Sequence, residues 1–105
     1  MRALVVDRDA DGGTRAAVQD IADDGLPAGD VTVAVEFSTL NYKDGLCLGA
    51  GGGLVKTWPH VPGVDFAGRV ERSDDPRFRV GEPVILTGWR VGGTRWGGYA
   101  QKARV

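Results

Sequence analysis

Val31-Thr32-Val33-Ala34-Val35-Glu36-Phe37-Ser38 is the stretch whose reading decides the fold, and it runs directly into Thr39-Leu40-Asn41-Tyr42-Lys43-Asp44. Val31, Val33, Val35 and Phe37 alternate with Thr32, Ala34, Glu36 and Ser38. A period of two with β-branched residues on one face is the pattern of a strand with one buried and one wet face. On a helix the same apolar residues would scatter around the circumference. The polar residues that follow therefore stand at a strand end, where a rigid scaffold can present them to a ligand.

The segments on either side repeat this grammar of short strands and turns. Residues 2–7 and 14–21 read as two strands, joined by the polar turn Asp9-Ala10-Asp11-Gly12-Gly13 as a hairpin. Residues 23–30 read as a loop. After Asn41, an acceptable N-cap, residues up to Leu48 have room for one or two helical turns, with Gly49 as a stop. Pro59 and Pro62 bracket an extended connection, because the residue before a proline avoids the helical region. Val64, Phe66, Gly68 and Val70 alternate with Asp65, Ala67, Arg69 and Glu71 as a further strand. A turn at residues 78–83 leads into a buried strand, Val84-Ile85-Leu86. A glycine-rich loop over 88–98 holds Trp89 and Trp96, and residues 99–105 read as a last strand. The sum is a mainly β unit, a small barrel or sandwich of six or seven short strands with one helical turn in the middle.

Composition narrows the function classes. A chain of 105 residues reads as one domain, short for a complete cofactor-using enzyme. Its 17 glycines and 5 prolines suit strands joined by turns. The formal net charge of −1 argues against a nucleic-acid partner. One cysteine, Cys47, leaves no internal disulfide framework and points to a reducing, cytoplasmic setting. No apolar run approaches the length that spans a membrane, and charge arrives too early in Met1-Arg2-Ala3-Leu4-Val5-Val6-Asp7 for a signal peptide.

Few residues carry chemistry. Gly49-Ala50-Gly51-Gly52-Gly53 is followed by Leu54-Val55-Lys56-Thr57-Trp58-Pro59, which cannot open a long helix. The run therefore reads as a flexible loop rather than a phosphate cradle. His60, the single histidine, reads as a loop residue between prolines, and Cys47 between two leucines as a buried filler. No serine sits in a nucleophile elbow. Asn41, Tyr42, Lys43 and Asp44 divide evenly between a capped turn and a binding site. Asp65 reads as solvated, or as a partner for Lys43 or Arg69.

Taken together, Met1-Arg2-Ala3-Leu4-Val5, Leu40-Asn41-Tyr42-Lys43-Asp44, Pro62-Gly63-Val64-Asp65-Phe66-Ala67-Gly68, Val80-Gly81-Glu82-Pro83-Val84 and Gly97-Gly98-Tyr99-Ala100 resemble the N-terminal, GroES-like catalytic domain of the medium-chain dehydrogenase/reductase superfamily. Within it the chain is similar to the zinc-free acrylyl-CoA reductase and quinone oxidoreductase branch. Each piece is weakly specific alone; their order and spacing are strongly specific, and they cover essentially the whole chain. The resemblance implies a GroES-like small β-barrel over residues 1–105, on the substrate side of the enzyme. It also implies that the Rossmann cofactor domain is absent from this chain, which alone would be inactive and bind nicotinamide weakly. Zinc-dependent members carry a cysteine where Asn41 stands and a histidine-glutamate pair where Val64-Asp65 stands. An amide and an isopropyl group cannot replace a thiolate and an imidazole, so no zinc is expected.

The resemblance implies hydride transfer from NADPH to the β-carbon of a 2-enoyl thioester such as acryloyl-CoA, then protonation at the α-carbon. The resemblance implies that Asn41 faces the nicotinamide or the reacting carbons, and that Tyr42 reaches the cofactor. Lys43 orders the site or donates a proton, and Asp44 and Asp65 brace it. Arg90, Arg95 and Lys56 are surface candidates for CoA phosphates. The complete enzyme is expected to form a homo-oligomer. A quinone oxidoreductase domain and a non-catalytic GroES-like binding module are the alternatives.

Overall fold

In the computed structural model, residues 1–49 and 55–105 are described. The loop reading of the 50–54 stretch lies outside them. Among the described residues, six strands form two antiparallel sheets. Strands β1 (Arg2–Arg8) and β2 (Thr14–Asp20) make a hairpin, with Val5 opposite Ala17. The second sheet has the order β5-β4-β3-β6, from β3 (Val31–Ser38), β4 (Asp65–Ser73), β5 (Pro83–Thr87) and β6 (Lys102–Arg104). One helix, α1 (Tyr42–Leu48), follows β3, and a 3₁₀ turn at Asp23–Gly25 interrupts the segment expected to be a plain loop.

The mainly β reading is borne out, but among the described residues the two sheets do not close into a barrel. They meet through isolated bridges, Val6 with His60 and Ala3 with Ala100. This also corrects the last strand. Residues 99–101 lie between β1 and β3 and bond to both: the Leu4 N–H donates to the Tyr99 carbonyl at 2.8 Å, the Gln101 N–H to the Arg2 carbonyl at 3.0 Å, and the Val35 N–H of β3 to the Gln101 carbonyl at 2.9 Å. The regular register of β6 against β3 runs from Lys102 to Arg104.

The alternation of β3 holds for half its length. Val31 and Val33 are buried and join Phe66, Val70, Val91 and Ala103 in the main core cluster. Burying side chains of this size stabilises the domain by about 1.5–3 kcal/mol each. Phe37, expected on the same face, is 70% exposed, and Thr32, expected to be wet, is buried. The register against β4 shifts between Thr32 and Val33 and again between Val35 and Phe37. Each irregularity turns the strand and breaks strict alternation. Buried Thr32 is satisfied by the Arg104 guanidinium, whose Nε donates to its hydroxyl at 3.0 Å. On β4 the expected alternation is observed: Phe66, Gly68 and Val70 are buried while Arg69 and Glu71 are exposed.

A second cluster, Ala3, Val5 and Val61, packs Trp96, Tyr99 and Ala100 under the hairpin. The backbones here lie too close for side chains. Gly63 has φ +106°, and a Cβ on it would sit 2.7 Å from the backbone nitrogens of Gly98 and Tyr99. Only glycine tolerates both the angle and the approach. This packing sets the loop before β4 against the start of α1.

Candidate functional site

The site grows from the end of β3. Asn41 has extended backbone angles and forms a capping box with Asp44 at the start of α1. The Asn41 backbone N–H donates to Asp44 Oδ2 at 2.9 Å. Asp44 is itself buried, and Gly63 and Val64 both donate their backbone N–H groups to its Oδ1 at 3.1 Å. The Tyr99 hydroxyl lies 3.0 Å from Asp44 Oδ2 and 2.7 Å from the Thr39 carbonyl oxygen, with one proton to share between two acceptors. Partial burial and the Asp44 carboxylate push the Tyr99 phenol up to about 12. Asp44 is thus the brace that was expected, joining the strand end, the helix start, the loop before β4 and the chain after the glycine pair.

Above this brace lies a polar cluster open to solvent. The Thr39 hydroxyl donates to Asp65 Oδ1, and Asn41 Nδ2 donates to Thr39 Oγ1 at 2.9 Å and approaches Asp65 Oδ1 at 3.4 Å. Thr39 has only one proton, and it is given to a carboxylate that can only accept. The Asn41 amide must therefore turn its NH₂ toward Thr39, which fixes its orientation. Asp65 was read as solvated or paired with Lys43 or Arg69; its partners are Thr39 and Asn41 instead. Arg69 reaches Glu36 across the strand pair at 3.6 Å; it shares a face of β4 with Asp65 but stands four residues further along the strand, beside a different neighbour.

The structure brings Asn41 and Asp65 together, with Tyr42 and Lys43 on the adjoining surface. Tyr42 is 83% exposed. Lys43 is exposed and lines a hollow with Val64 and the 88–94 loop. Of the other basic candidates, Arg95 donates to the Ala28 carbonyl at 3.1 Å, and Lys56 lies outside this hollow. Cys47 is the buried filler that was expected, and its thiol donates to the Gly92 carbonyl at 3.2 Å. Burial, with a smaller contribution from Asp44, pushes this thiol up. His60 is not an open loop residue. It is buried, and its Nε2–H donates to the same Gly92 oxygen at 2.8 Å. Burial pushes its pKa down, partly offset by that hydrogen bond. Among the described residues no three His, Cys, Asp or Glu side chains gather to hold a metal ion.

Two members of the site escaped the sequence reading, Thr39 and Tyr99. Tyr99 carried a signal in Gly97-Gly98-Tyr99, a bulky polar ring after residues that permit close backbone approach. Thr39 carried none, since a threonine after a strand is ordinary.

A model of the alcohol dehydrogenase GroES-like domain matches residues 27–105. The chain belongs to that family. The GroES-like domain is 64% identical over 104 residues to acrylyl-CoA reductase AcuI of Ruegeria pomeroyi, covering 98% of this chain and 32% of that protein. It is 40% identical over 104 residues to the putative quinone oxidoreductase YhfP of Bacillus subtilis, covering 99% of this chain and 31% of that one. The crystal structure of the yhdH oxidoreductase from Salmonella enterica in complex with NADP superposes with a TM-score of 0.96 at 51% identity, covering all of this chain and 32% of that one. The resemblance to this branch of the superfamily is borne out. The chain spans about a third of the length of these relatives.

Proposed function

We propose that this GroES-like domain is the substrate side of an NADPH-dependent reductase acting on the carbon–carbon double bond of acryloyl-CoA or a similar 2-enoyl thioester. The observation that carries the reading is the 64% identity to an acrylyl-CoA reductase along nearly the whole chain. The donor set supports a reaction without a Lewis-acid metal. Asn41 and Val64 stand where zinc-dependent relatives carry thiolate and imidazole, and Asp65 is occupied by Thr39 and Asn41.

The residues present fit only the reacting end of a dinucleotide. Every ladder between named strands is antiparallel, so the described residues contain no βαβ unit to cradle a pyrophosphate. Asn41 and Tyr42 would meet the nicotinamide end, while the remainder is held by a separate cofactor domain. When bound, the reduced nicotinamide supplies the hydride for the β-carbon. This chain's part is orientation. Thr39 and Asp65 hold the Asn41 amide in one direction, Asp44 and Tyr99 hold the backbone beneath it, and Tyr42 offers a phenol at the rim. Lys43 adds a positive charge to the same surface. A cytoplasmic setting fits the single free thiol, and among the described residues no helix is long and apolar enough to cross a membrane.

The 40% identity to a putative quinone oxidoreductase keeps one second reading, the same hydride chemistry with a quinone acceptor. Steady-state kinetics of the complete enzyme with acryloyl-CoA and with a benzoquinone separates the two. Asn41→Ala and Tyr42→Phe are expected to lower turnover or cofactor affinity; unchanged constants in both variants would remove the assignment of this site. Faster turnover of the quinone would replace the enoyl-CoA reading.

A further inference from the structure

The hollow beside the amide–carboxylate cluster measures about 210 Å³ and is lined by Lys43, Val64, Arg90, Thr94 and the glycines of the 88–93 turn. Val64 and Gly88 join its floor to the site: the Gly88 N–H donates to the Val64 carbonyl at 3.3 Å, one residue before Asp65. Two cations face this space and no acidic side chain lines it. Among the described residues neither Lys43 nor Arg90 makes an ion pair. The nearest carboxylates are committed elsewhere, Asp44 to three backbone N–H groups and Tyr99, and Asp65 to Thr39 and Asn41. Arg90 is held in place by its backbone. Gly88, Trp89 and Arg90 are three consecutive residues with φ of 75°, 58° and 65°. The Arg90 carbonyl accepts the N–H groups of Gly93, Thr94 and Arg95 at 3.0–3.1 Å. That tight left-handed turn fixes the direction in which its side chain leaves the loop.

We propose that Lys43 and Arg90 form a phosphoryl-binding subsite next to the reacting centre. Two like charges left uncompensated at one concavity favour an anion there. A guanidinium beside an ammonium suits phosphoryl oxygens, the first as a planar fork and the second as a point charge. The inference rests on the enoyl-CoA reading for its main source of phosphoryl groups, the diphosphate of the coenzyme A carrier. A nicotinamide nucleotide offers the same chemistry. Lys43 then acts as a binding group toward the carrier rather than as a proton donor to the α-carbon.

The test is titration of the ¹⁵N-labelled chain with inorganic pyrophosphate, followed by amide shifts. Perturbations are expected at Lys43 and at 88–94, with affinity weakened about tenfold in Lys43→Gln and in Arg90→Gln separately, the scale of one charge-assisted contact. Arg90→Lys, which keeps the charge but loses the fork, should weaken binding less than Arg90→Gln. Both side chains are exposed, so amide positions elsewhere should stay unchanged and report an intact fold. Shifts confined to other surfaces, or equal affinity in all variants, overturn the subsite. Coenzyme A, pantetheine and NADP titrated in the same way identify the source. Cation-dependent binding of coenzyme A but not pantetheine assigns the site to the substrate, and cation-dependent binding of NADP assigns it to the cofactor. If coenzyme A binds weakly and independently of both cations while pyrophosphate and NADP depend on them, the enoyl-CoA reading fails and the subsite stands.

Discussion

Removing the Asp44 carboxylate should unfold much of what the domain gains from its loops. In Asp44→Ala, the backbone N–H groups of Asn41, Gly63 and Val64 lose their acceptor, and Tyr99 keeps only the Thr39 carbonyl. Leaving a buried polar group unsatisfied costs about 1–3 kcal/mol. Three such groups, one of them able to reach water, give about 3–5 kcal/mol, a large share of the ~5–15 kcal/mol that holds a typical domain together. Asp44→Asn is milder. Its retained oxygen can still accept from Gly63 and Val64, and its new NH₂ can donate to the Tyr99 oxygen. Only the Asn41 N–H then faces a donor, for a cost of about 1–2 kcal/mol. Urea unfolding followed by tryptophan fluorescence and far-UV circular dichroism measures both. With a denaturant slope of about 1 kcal/mol per molar for this size, the alanine variant should lose roughly 3 M or more in midpoint, or fail to fold at all. An alanine variant within 1 M of the parent would refute the reasoning, because it would mean that the carboxylate is not the shared acceptor.

Three further outcomes follow from the same geometry. His60 resists protonation in the fold while the unfolded chain takes a proton near pH 6.5, so stability should be full above that pH and decline as pH falls below it; His60→Gln with an unchanged acid limb, measured by thermal melts from pH 4 to 8, would contradict this. Tyr99 works in the opposite direction: its phenol is raised to about 12, so stability should be present below pH 10 and be lost as pH climbs toward 12. Ultraviolet titration should show one tyrosine ionising late, and Tyr99→Phe should abolish that step. Gly63→Ala meets backbone nitrogens at 2.7 Å with φ +106°, and should cost more than about 2 kcal/mol in urea unfolding.

How far the molecule could be read from its residues differs from element to element. Alternation located β3 and β4, and the Asp9–Gly13 turn located the hairpin, because these depend on near neighbours. Phe37 went wrong because a bulge depends on the partner strand, which local pattern does not contain. Residues 99–101 departed from a plain strand for a similar reason: they lie between β1 and β3 and bond to both, which local pattern does not contain. At the site, Asn41 as a cap was legible from residue type. That Asp65 belongs to Thr39 and Asn41 was not, since it depends on how the end of β3 lies beside the start of β4. His60 looked like a loop residue between prolines, yet its burial comes from pairing with Val6.

The acceptor at Asp44 gathers donors 19, 20 and 55 residues away along the chain. A loop transplanted as a short peptide would therefore carry the side chains but not the posture, since two of the three supporting segments would stay behind. Engineers who wish to move this pocket must move the domain. For the same reason, a fragment ending before the Gly97–Gly98 pair would lack the Tyr99 hydroxyl that bonds Asp44, and Asn41 would lose part of its foundation.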